Sequence, residues 1–523
     1  MKTNKLYSVI ISLIVALGGF LLGFDSAVIS GATPFYKVSF GLDTGSWLIG
    51  FSVGSIILGA IFGNIIAGSL ADRYGRKKIL IFTAVLFAYC AGGTALSHNV
   101  IFFISARIIG GIGVGMAILI APMYIAEIAP RKLRGTLVTF NQLNIVLGIS
   151  IAYFSNYFLQ QGIDDPDMKW RWMLGVGLIP AMLYFIFLFF VPRSPRWLMQ
   201  KGLDKEAMNV LEKVNGKDQA AIEFKEIRAS LNKDINSEKS SFKEVFSKRM
   251  KTVLIIGLGI AFFQQITGIN AIFYYAPMIF EMAGGGKDAA FMQAIIIGLT
   301  NVAMTIVAMF LIDRLGRKPL LIIGSIGITI SLFITGFSFG NAKYSINDAS
   351  LENIKTEIEA GIHPQKALPV LAELDKLKDK VYITEVAFFD EVKAGIGQEN
   401  YNLYKELILK HSINIRSIWV LIGLIMYVAS FAISLGPVMW ALLSEIFPNK
   451  LRGLAISIVG FWNSIVSFSV ASVFPMELEF LGSATTFYLF AGFGFLTLLF
   501  VLRYIPETKG KSLEEIESIL VNK

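Results

Sequence analysis

The sequence predicts an all-α membrane protein with twelve transmembrane helices in two six-helix halves. Three observations carry that expectation. The 523 residues are 54% hydrophobic and only 16% charged, with a mean hydropathy of +0.63, whereas soluble domains carry about 25% charged residues. Apolar runs of about 20 residues, long enough to cross ~30 Å of hydrocarbon as helix, recur along nearly the whole chain. Two short motifs also occur twice, once in each half.

The same composition narrows the function classes. One cysteine, Cys90, rules out a disulfide framework and a Cys-based zinc site. His98, His363 and His411 are the only histidines and form no metal-binding pattern. No metal or cofactor is expected, and no nucleophile–base constellation in the spans points to an enzyme. The net charge of +9 would suggest nucleic acid only if it formed a basic face on a soluble domain.

The spans are read in order near 8–30, 46–70, 79–97, 101–124, 136–160 and 172–191, then near 253–280, 289–312, 319–340, 416–443, 453–476 and 484–505. The first run follows Lys2 and Lys5 like a signal peptide, but it continues past Gly18-Gly19 to Ile29. That is too long for an h-region, so it reads as an uncleaved helix. Arg73, Arg76, Lys77 and Lys78 follow span 2; Arg131, Lys132 and Arg134 follow span 4. Arg314, Arg317 and Lys318 follow span 8, and Lys450 and Arg452 follow span 10. Connections after odd-numbered spans are poor in Lys and Arg or acidic, as in Asp164-Asp165-Pro166-Asp167. By the positive-inside rule both termini and the segment 192–252 are cytoplasmic. The basic excess is therefore topological.

Asp72-Arg73-Tyr74-Gly75-Arg76-Lys77-Lys78 returns as Asp313-Arg314-Leu315-Gly316-Arg317-Lys318-Pro319, and Glu127-Ile128-Ala129-Pro130-Arg131-Lys132-Leu133-Arg134-Gly135 returns as Glu445-Ile446-Phe447-Pro448-Asn449-Lys450-Leu451-Arg452-Gly453. This is a parallel duplication of a six-helix unit. Glu127 follows Asp72 by 55 residues, but Glu445 follows Asp313 by 132, which leaves 77 extra residues. Most of them fit only in the polar stretch 341–411, after span 9 and so extracytoplasmic. Segments 351–360, 371–382 and 401–409 read as helical, a small cap of tolerated rather than functional character. The expected organisation is 1–191 as the first half, 192–252 as a linker and 253–523 as the second half with the 341–411 insertion. In the linker, Ala207, Val210, Leu211 and Val214 recur at helical spacing and predict amphipathic helices.

Polar residues within the spans are few. Asp25 lies deep in span 1, and a carboxylate there is a functional-site candidate by default. Its natural partner is Arg107 early in span 4, and a purely structural pair joining two helices is the competing reading. Burial disfavours the ionised carboxylate while a neighbouring guanidinium favours it, so a change in their separation would load or release a proton. Gln142, Gln264, Gln265, Asn270, Asn301 and Asn463 are carboxamides in otherwise apolar spans, each alone equally explained by interhelical hydrogen bonding. Gly110-Gly111-Ile112-Gly113-Val114-Gly115 in span 4 permits close helix approach, and no strand precedes it to make a dinucleotide loop. Gly436-Pro437 predicts a bend beside Trp440.

Taken together, the motifs resemble the sugar-porter branch of the major facilitator superfamily. The resemblance covers the chain outside 341–411 and rests on Gly68-Ser69-Leu70-Ala71-Asp72-Arg73-Tyr74-Gly75-Arg76-Lys77, Pro192-Arg193-Ser194-Pro195-Arg196-Trp197, Gln264-Gln265-Ile266-Thr267-Gly268-Ile269-Asn270 with Tyr274-Tyr275, and Pro506-Glu507-Thr508-Lys509-Gly510. It is most similar to bacterial proton-coupled symporters of the xylose-transporter type. That resemblance implies the major facilitator fold and proton-coupled symport of a pentose or hexose by alternating access, in a cell inner membrane and as a monomer.

The resemblance also implies Asp25 and Arg107 as the proton-coupling pair, since facilitators of the family lack the carboxylate. Gln142, Gln264, Gln265, Asn270, Asn301, Trp440 and Asn463 match sugar-contact positions. Carboxamides both donate to and accept from hydroxyls without a buried charge. Tyr274 and Phe24 are weaker candidates. The paired loop motifs suggest gating by Asp72, Arg73, Arg76, Glu127 and Arg134 in one half and by Asp313, Arg314, Arg317, Glu445 and Arg452 in the other.

Three positions depart from the family pattern. Arg193 stands where a Glu of a cytoplasmic charge network is usual, Ile149 where the xylose type has a second Gln, and Ser464 where an aromatic is common. A facilitated-diffusion uniporter is the alternative, and a nutrient sensor is disfavoured because such proteins carry long cytoplasmic tails. No Asn-x-Ser/Thr acceptor occurs, which fits a bacterial membrane.

Overall fold

A computed structural model describes residues 5–42, 46–130, 133–236, 242–359, 367–448, 451–511 and 515. Among them, ten helices are long and apolar enough to cross a membrane. The last, Arg452–Tyr504, breaks at Gly482 with φ 77, and it therefore supplies spans 11 and 12. The continuous helix Arg134–Gly162, whose apolar sequence is interrupted by Asn141, Gln142, Asn144 and Asn156, completes the twelve.

The first half contains Lys5–Ser39, Trp47–Tyr74, Arg76–Ala95 and Val100–Ile128 as spans 1 to 4. Arg134–Gly162 is span 5, and Pro166–Leu188 is span 6. The second half contains Lys251–Met282, Lys287–Leu315, Arg317–Gly340 and Ser417–Ile446 as spans 7 to 10. Local chemistry sets several ends. Ser46 accepts from the Leu48 N–H at span 2, and Asn99 from the Phe102 N–H at span 4. Gly75 (φ 92) and Gly316 (φ 95) make the left-handed turns into spans 3 and 9, a conformation that favours glycine. Span 6 begins at Pro166, earlier than the apolar run suggests, because Asp165 caps it and proline is tolerated in a first turn.

Two spans of the second half are discontinuous. Span 7 breaks at Thr267 and Gly268 (φ 93), between Lys251–Ile266 and Ile269–Met282. Span 10 breaks at Ser434, between Ser417–Ile433 and Leu435–Ile446. The break precedes Pro437 because proline fits the first turn of a new helix but would disrupt the preceding ladder.

The glycines of span 4 work by contact. A Cβ at Gly111 would lie 2.2 Å from the Ile56 carbonyl, and one at Gly115 would lie 2.1 Å from that of Ala60. Spans 2 and 4 therefore touch backbone to backbone. Between the halves, span 2 meets span 11, span 5 meets span 8, and span 1 meets span 7. A Cβ at Gly50 would lie 1.8 Å from the Ser472 carbonyl, and Tyr153 of span 5 donates to the Phe273 carbonyl of span 7 at 2.7 Å. The halves are thus closed together at one end, opposite the duplicated basic motifs.

The insertion sits at that closed end. It holds β1 (Lys343–Ser345), β2 (Val381–Tyr382) and β3 (Ile413–Asn414) in antiparallel order β2-β1-β3. Helices Asp348–Glu359, Ala367–Asp375 and Glu385–Ser412 pack on it, with an apolar core of their own around Tyr344, Leu374, Phe388 and Ile408. The sheet differs from the all-helical expectation: Tyr382 pairs with Tyr344 across β1, a nonlocal contact that helical spacing does not encode. The segment between the halves is helical over Pro195–Gln200, Asp204–Asn215 and Lys217–Asn236. Its helix Asp204–Asn215 buries Ala207, Val210, Leu211 and Val214.

Candidate functional site

A cavity of about 290 Å³ lies between the halves. Gln142, Gln264, Gln265, Asn270, Asn301, Trp440 and Asn463 all line it, although they come from five spans. The break in span 7 lets Gln264, Gln265 and Asn270 reach the same space from two helix segments.

Most of the amides are held before any ligand arrives. Gln264 Nε2 donates to the Leu435 carbonyl at 2.9 Å, a group beside the break in span 10. Gln265 Nε2 donates to Asn463 Oδ1 at 3.1 Å and to Gln264 Oε1 at 3.2 Å. Asn463 Nδ2 donates to Gln264 Oε1 at 2.9 Å and to the Ala261 carbonyl at 3.0 Å. Asn270 Nδ2 donates to Gln265 Oε1 at 2.9 Å and Ser467 Oγ at 2.5 Å. Such a network orients donors and acceptors together. On the facing side Gln142 is exposed to the cavity, and Trp440 is 44% exposed, so its ring is available to a ligand.

Ser26, Asn64, Thr305 and Ser467 also line the cavity and were not singled out from the sequence. Ser467 stands four residues after Asn463, so helical spacing on span 11 was a usable signal. Ile149, Ser464 and Tyr274 line it too. Phe24 does not: it is buried at 4% exposure and stacks on Phe20.

Asp25 and Arg107 lie beside this cavity. Arg107 Nη1 is 3.9 Å from Asp25 Oδ2, within ion-pair range but beyond a hydrogen bond. The rest of the guanidinium is committed to span 2: Nε donates to the Ser52 carbonyl at 2.9 Å and Nη2 to that of Val53 at 3.1 Å. The Cys90 thiol lies 3.7 Å from Asp25 Oδ1, in space left by Gly110, whose Cβ would lie 2.3 Å from that of Cys90. Neither the Arg107 bonds to span 2 nor the Cys90 contact was legible in the sequence, because they depend on how spans 1 to 4 stack.

The duplicated motifs form two charge clusters, each within its own half. Arg76 pairs with Asp72 and Glu127, both at 3.0 Å. Arg317 pairs with Asp313 at 3.4 Å and Glu445 at 2.7 Å. Ser194 donates to Glu127, and Thr508 donates to Glu445 at 2.5 Å. Arg73 lies over the Tyr74 ring, the Arg314 carbonyl accepts from Lys509, and Arg452 Nε donates to the Phe447 carbonyl. Arg131, Lys132, Asn449, Lys450 and the side chain of Arg134 lie outside the described residues.

A duplicated twelve-helix bundle enclosing one amide-lined cavity between its halves is the architecture of a multi-pass membrane transporter. The chain belongs to the Sugar (and other) transporter family, which matches residues 11–354 and 404–520 and skips part of the insertion. It is 35% identical over 518 residues to the arabinose-proton symporter of Bacillus subtilis, covering 98% of this chain and 95% of that one. It is 33% identical over 551 residues to the D-xylose-proton symporter of Escherichia coli, covering 99% and 96%. The inward-open structure of the xylose transporter XylE from E. coli superposes with a TM-score of 0.75 at 32% identity, covering 98% of this chain and 99% of that one.

Proposed function

We propose that this protein is a proton-coupled monosaccharide symporter that imports a pentose or hexose by alternating access. The observation that carries the reading is the convergence of seven polar or aromatic candidates on one cavity, with the Asp25–Arg107 pair beside it. In this reading the amides exchange hydrogen bonds with sugar hydroxyls, and the Trp440 ring covers a C–H face of the sugar. Relatives named as arabinose-proton and D-xylose-proton symporters make these two pentoses the first substrates to try.

Coupling follows from how Arg107 is held. Two of its donors are already satisfied by span 2, so protonation of Asp25 removes the ion pair without leaving the guanidinium unbonded. Span 1 is then free to shift relative to spans 2 and 4, and proton loading can bias which end of the bundle opens. The clusters around Arg76 and Arg317 are assigned to the gate at the basic end, which the positive-inside pattern makes cytoplasmic, with both termini on that side. The inner membrane and the monomer are the assigned location and working unit.

Sugar-induced alkalinisation of the medium by expressing cells tests symport. Asp25→Asn is expected to abolish uphill accumulation while leaving sugar exchange measurable, and undiminished accumulation in that variant overturns the coupling assignment. If charge removal at Glu127 and Glu445 leaves the inward–outward distribution unchanged, the gate assignment is wrong.

A further inference from the structure

At the closed end of the bundle a second, small void of about 50 Å³ remains between the halves. Thr33 and Lys37 of span 1 and Ile49 of span 2 form one wall. The other wall includes Glu479 of span 11 together with Lys405 and Leu409 of the insertion helix Glu385–Ser412. Ile49 adjoins Gly50, whose contact with Ser472 seals this end. The void is therefore what remains of an opening between the halves.

The insertion contributes to one side of that opening. Glu385 accepts from the Ser483 N–H and hydroxyl at the start of span 12, Tyr401 donates to Glu479 at 3.1 Å, and Lys405 pairs with Glu479. All three anchors lie on spans 11 and 12, so the insertion moves with the second half. The Lys405 ammonium also lies 4.9 Å from the Phe389 ring centre and 5.4 Å from that of Tyr401. The Lys405 and Glu479 side chains are only 14% and 19% exposed, so the pair is a fixed, largely desolvated feature of the wall.

We propose that the void is the collapsed mouth of the outer sugar path and that Lys405 and Glu479 form an outer monosaccharide subsite on it. The inference rests on the sugar-symporter reading above. A carboxylate accepts from sugar hydroxyls and an ammonium donates to them. The two charges neutralise each other, so the pair offers both donor and acceptor without adding net charge to the wall. At about 50 Å³ the void is far below the several hundred Å³ of ligand pockets, so the subsite forms only when the halves part at this end. Its expected work is to hold and orient the sugar before the central cavity receives it, which makes Lys405 and Glu479 specificity determinants for influx.

The test uses the full-length protein in proteoliposomes, with arabinose and D-xylose as probes. Lys405→Met keeps an aliphatic stem on Phe389 and Tyr401 but removes the donors. The expected result is an influx KM raised about ten- to a hundredfold, the loss of a hydrogen bond to a charged group, with influx turnover number and efflux KM unchanged and efflux turnover number lowered by the same factor, as the unaltered overall equilibrium requires. An unchanged influx KM overturns the proposal, as does an equal rise in influx and efflux KM accompanied by lower thermal stability. Leu409→Cys provides a second measurement, since the native Cys90 is buried. A membrane-impermeant maleimide added outside should react more slowly with sugar present and should block influx once attached. Labelling that ignores sugar and leaves influx intact overturns the proposal. A wild-type protein that transports neither pentose nor any other monosaccharide refutes the function itself, whereas transport indifferent to both variants refutes only the outer subsite.

Discussion

The two charge clusters are built on one plan and differ most at the residue before the clamping hydroxyl. In each half an Arg at the start of a span is clamped by a Glu at the end of the next span, and that Glu is held from its other side by a hydroxyl: Arg76, Glu127 and Ser194 in the first half, Arg317, Glu445 and Thr508 in the second. Lys77 donates to the Phe189 carbonyl at 2.8 Å, and Lys318 to that of Leu502 at 3.1 Å. The residue preceding each hydroxyl breaks the match. Glu507 accepts from the Arg317 and Lys318 N–H groups at 3.2 and 3.1 Å, capping span 9. Arg193, in the same place, turns instead to Glu206 of the connecting segment at 3.5 Å. Over the turn glycine the second half sets the Glu507 carboxylate against Gly316, and the first half sets the Trp197 ring against Gly75. The clamp is thus repeated, whereas the cap is not: one cluster is closed by the segment after span 12, and the other is tied to the linker.

The largest expected effect breaks the clamps themselves. Glu127→Ala leaves Arg76 with Asp72 as its one remaining ionic partner, beside the Ala71 carbonyl, and Arg76 is only 5% exposed against 14% for Arg317. Thermal unfolding in detergent should show a loss of roughly 3 kcal/mol for Glu127→Ala and roughly 2 kcal/mol for Glu445→Ala, since a more buried charge costs more when stranded. Equal losses would mean that burial does not distinguish the two clusters.

The caps should respond less. Glu507→Arg imitates the first half and is expected to cost about 1 kcal/mol by removing an N-terminal acceptor and placing a cation there. Arg193→Glu imitates the second half and should recover a smaller increment, measured by the same unfolding. A loss in that variant would show that the Trp197 packing, rather than a missing carboxylate, completes the first half.

The smallest effect is a pH dependence confined to one half. Burial raises the pKa of Glu507, but N–H groups of Lys509, Arg317, Lys318 and Thr508 outweigh it and hold the carboxyl below its ordinary value of 4.5. A depressed acid stabilises the fold above its unfolded pKa, and that contribution disappears as pH falls through the folded pKa. Wild type should therefore lose a small increment of stability relative to Glu507→Gln on acidification below about pH 4.5, and no such difference should separate wild type from Arg193→Gln. A flat wild-type minus Glu507→Gln curve would show that the cap contributes nothing.

The spans were legible because an apolar run is a one-dimensional signal whose length matches the bilayer. Spans 11 and 12 were likewise told apart at 477–483, a stretch that holds Glu477 and Glu479, and the structure places the turn there at Gly482 with a positive φ. Six of the seven cavity candidates were readable as carboxamides in apolar spans and Trp440 as an aromatic beside the Gly436-Pro437 bend, reinforced by the family resemblance. Ser467 and Asn64 were not singled out, and Cys90 was noted only as the lone cysteine, because small polar groups are common in helices, where Ser and Thr commonly bond back to their own backbone.

By itself the sequence determined the membrane class, the duplication, the family and the short roster of buried polar residues, all carried by composition, spacing or repeated motifs. Only the tertiary structure decided which of those residues share a cavity. It also showed that Arg107 hangs from the carbonyls of span 2, that the insertion packs at the closed end on spans 11 and 12, and that Arg193 faces the linker. Each of these depends on which helix faces meet across tens to hundreds of residues, and the depth at which glycines let backbones touch sets that geometry.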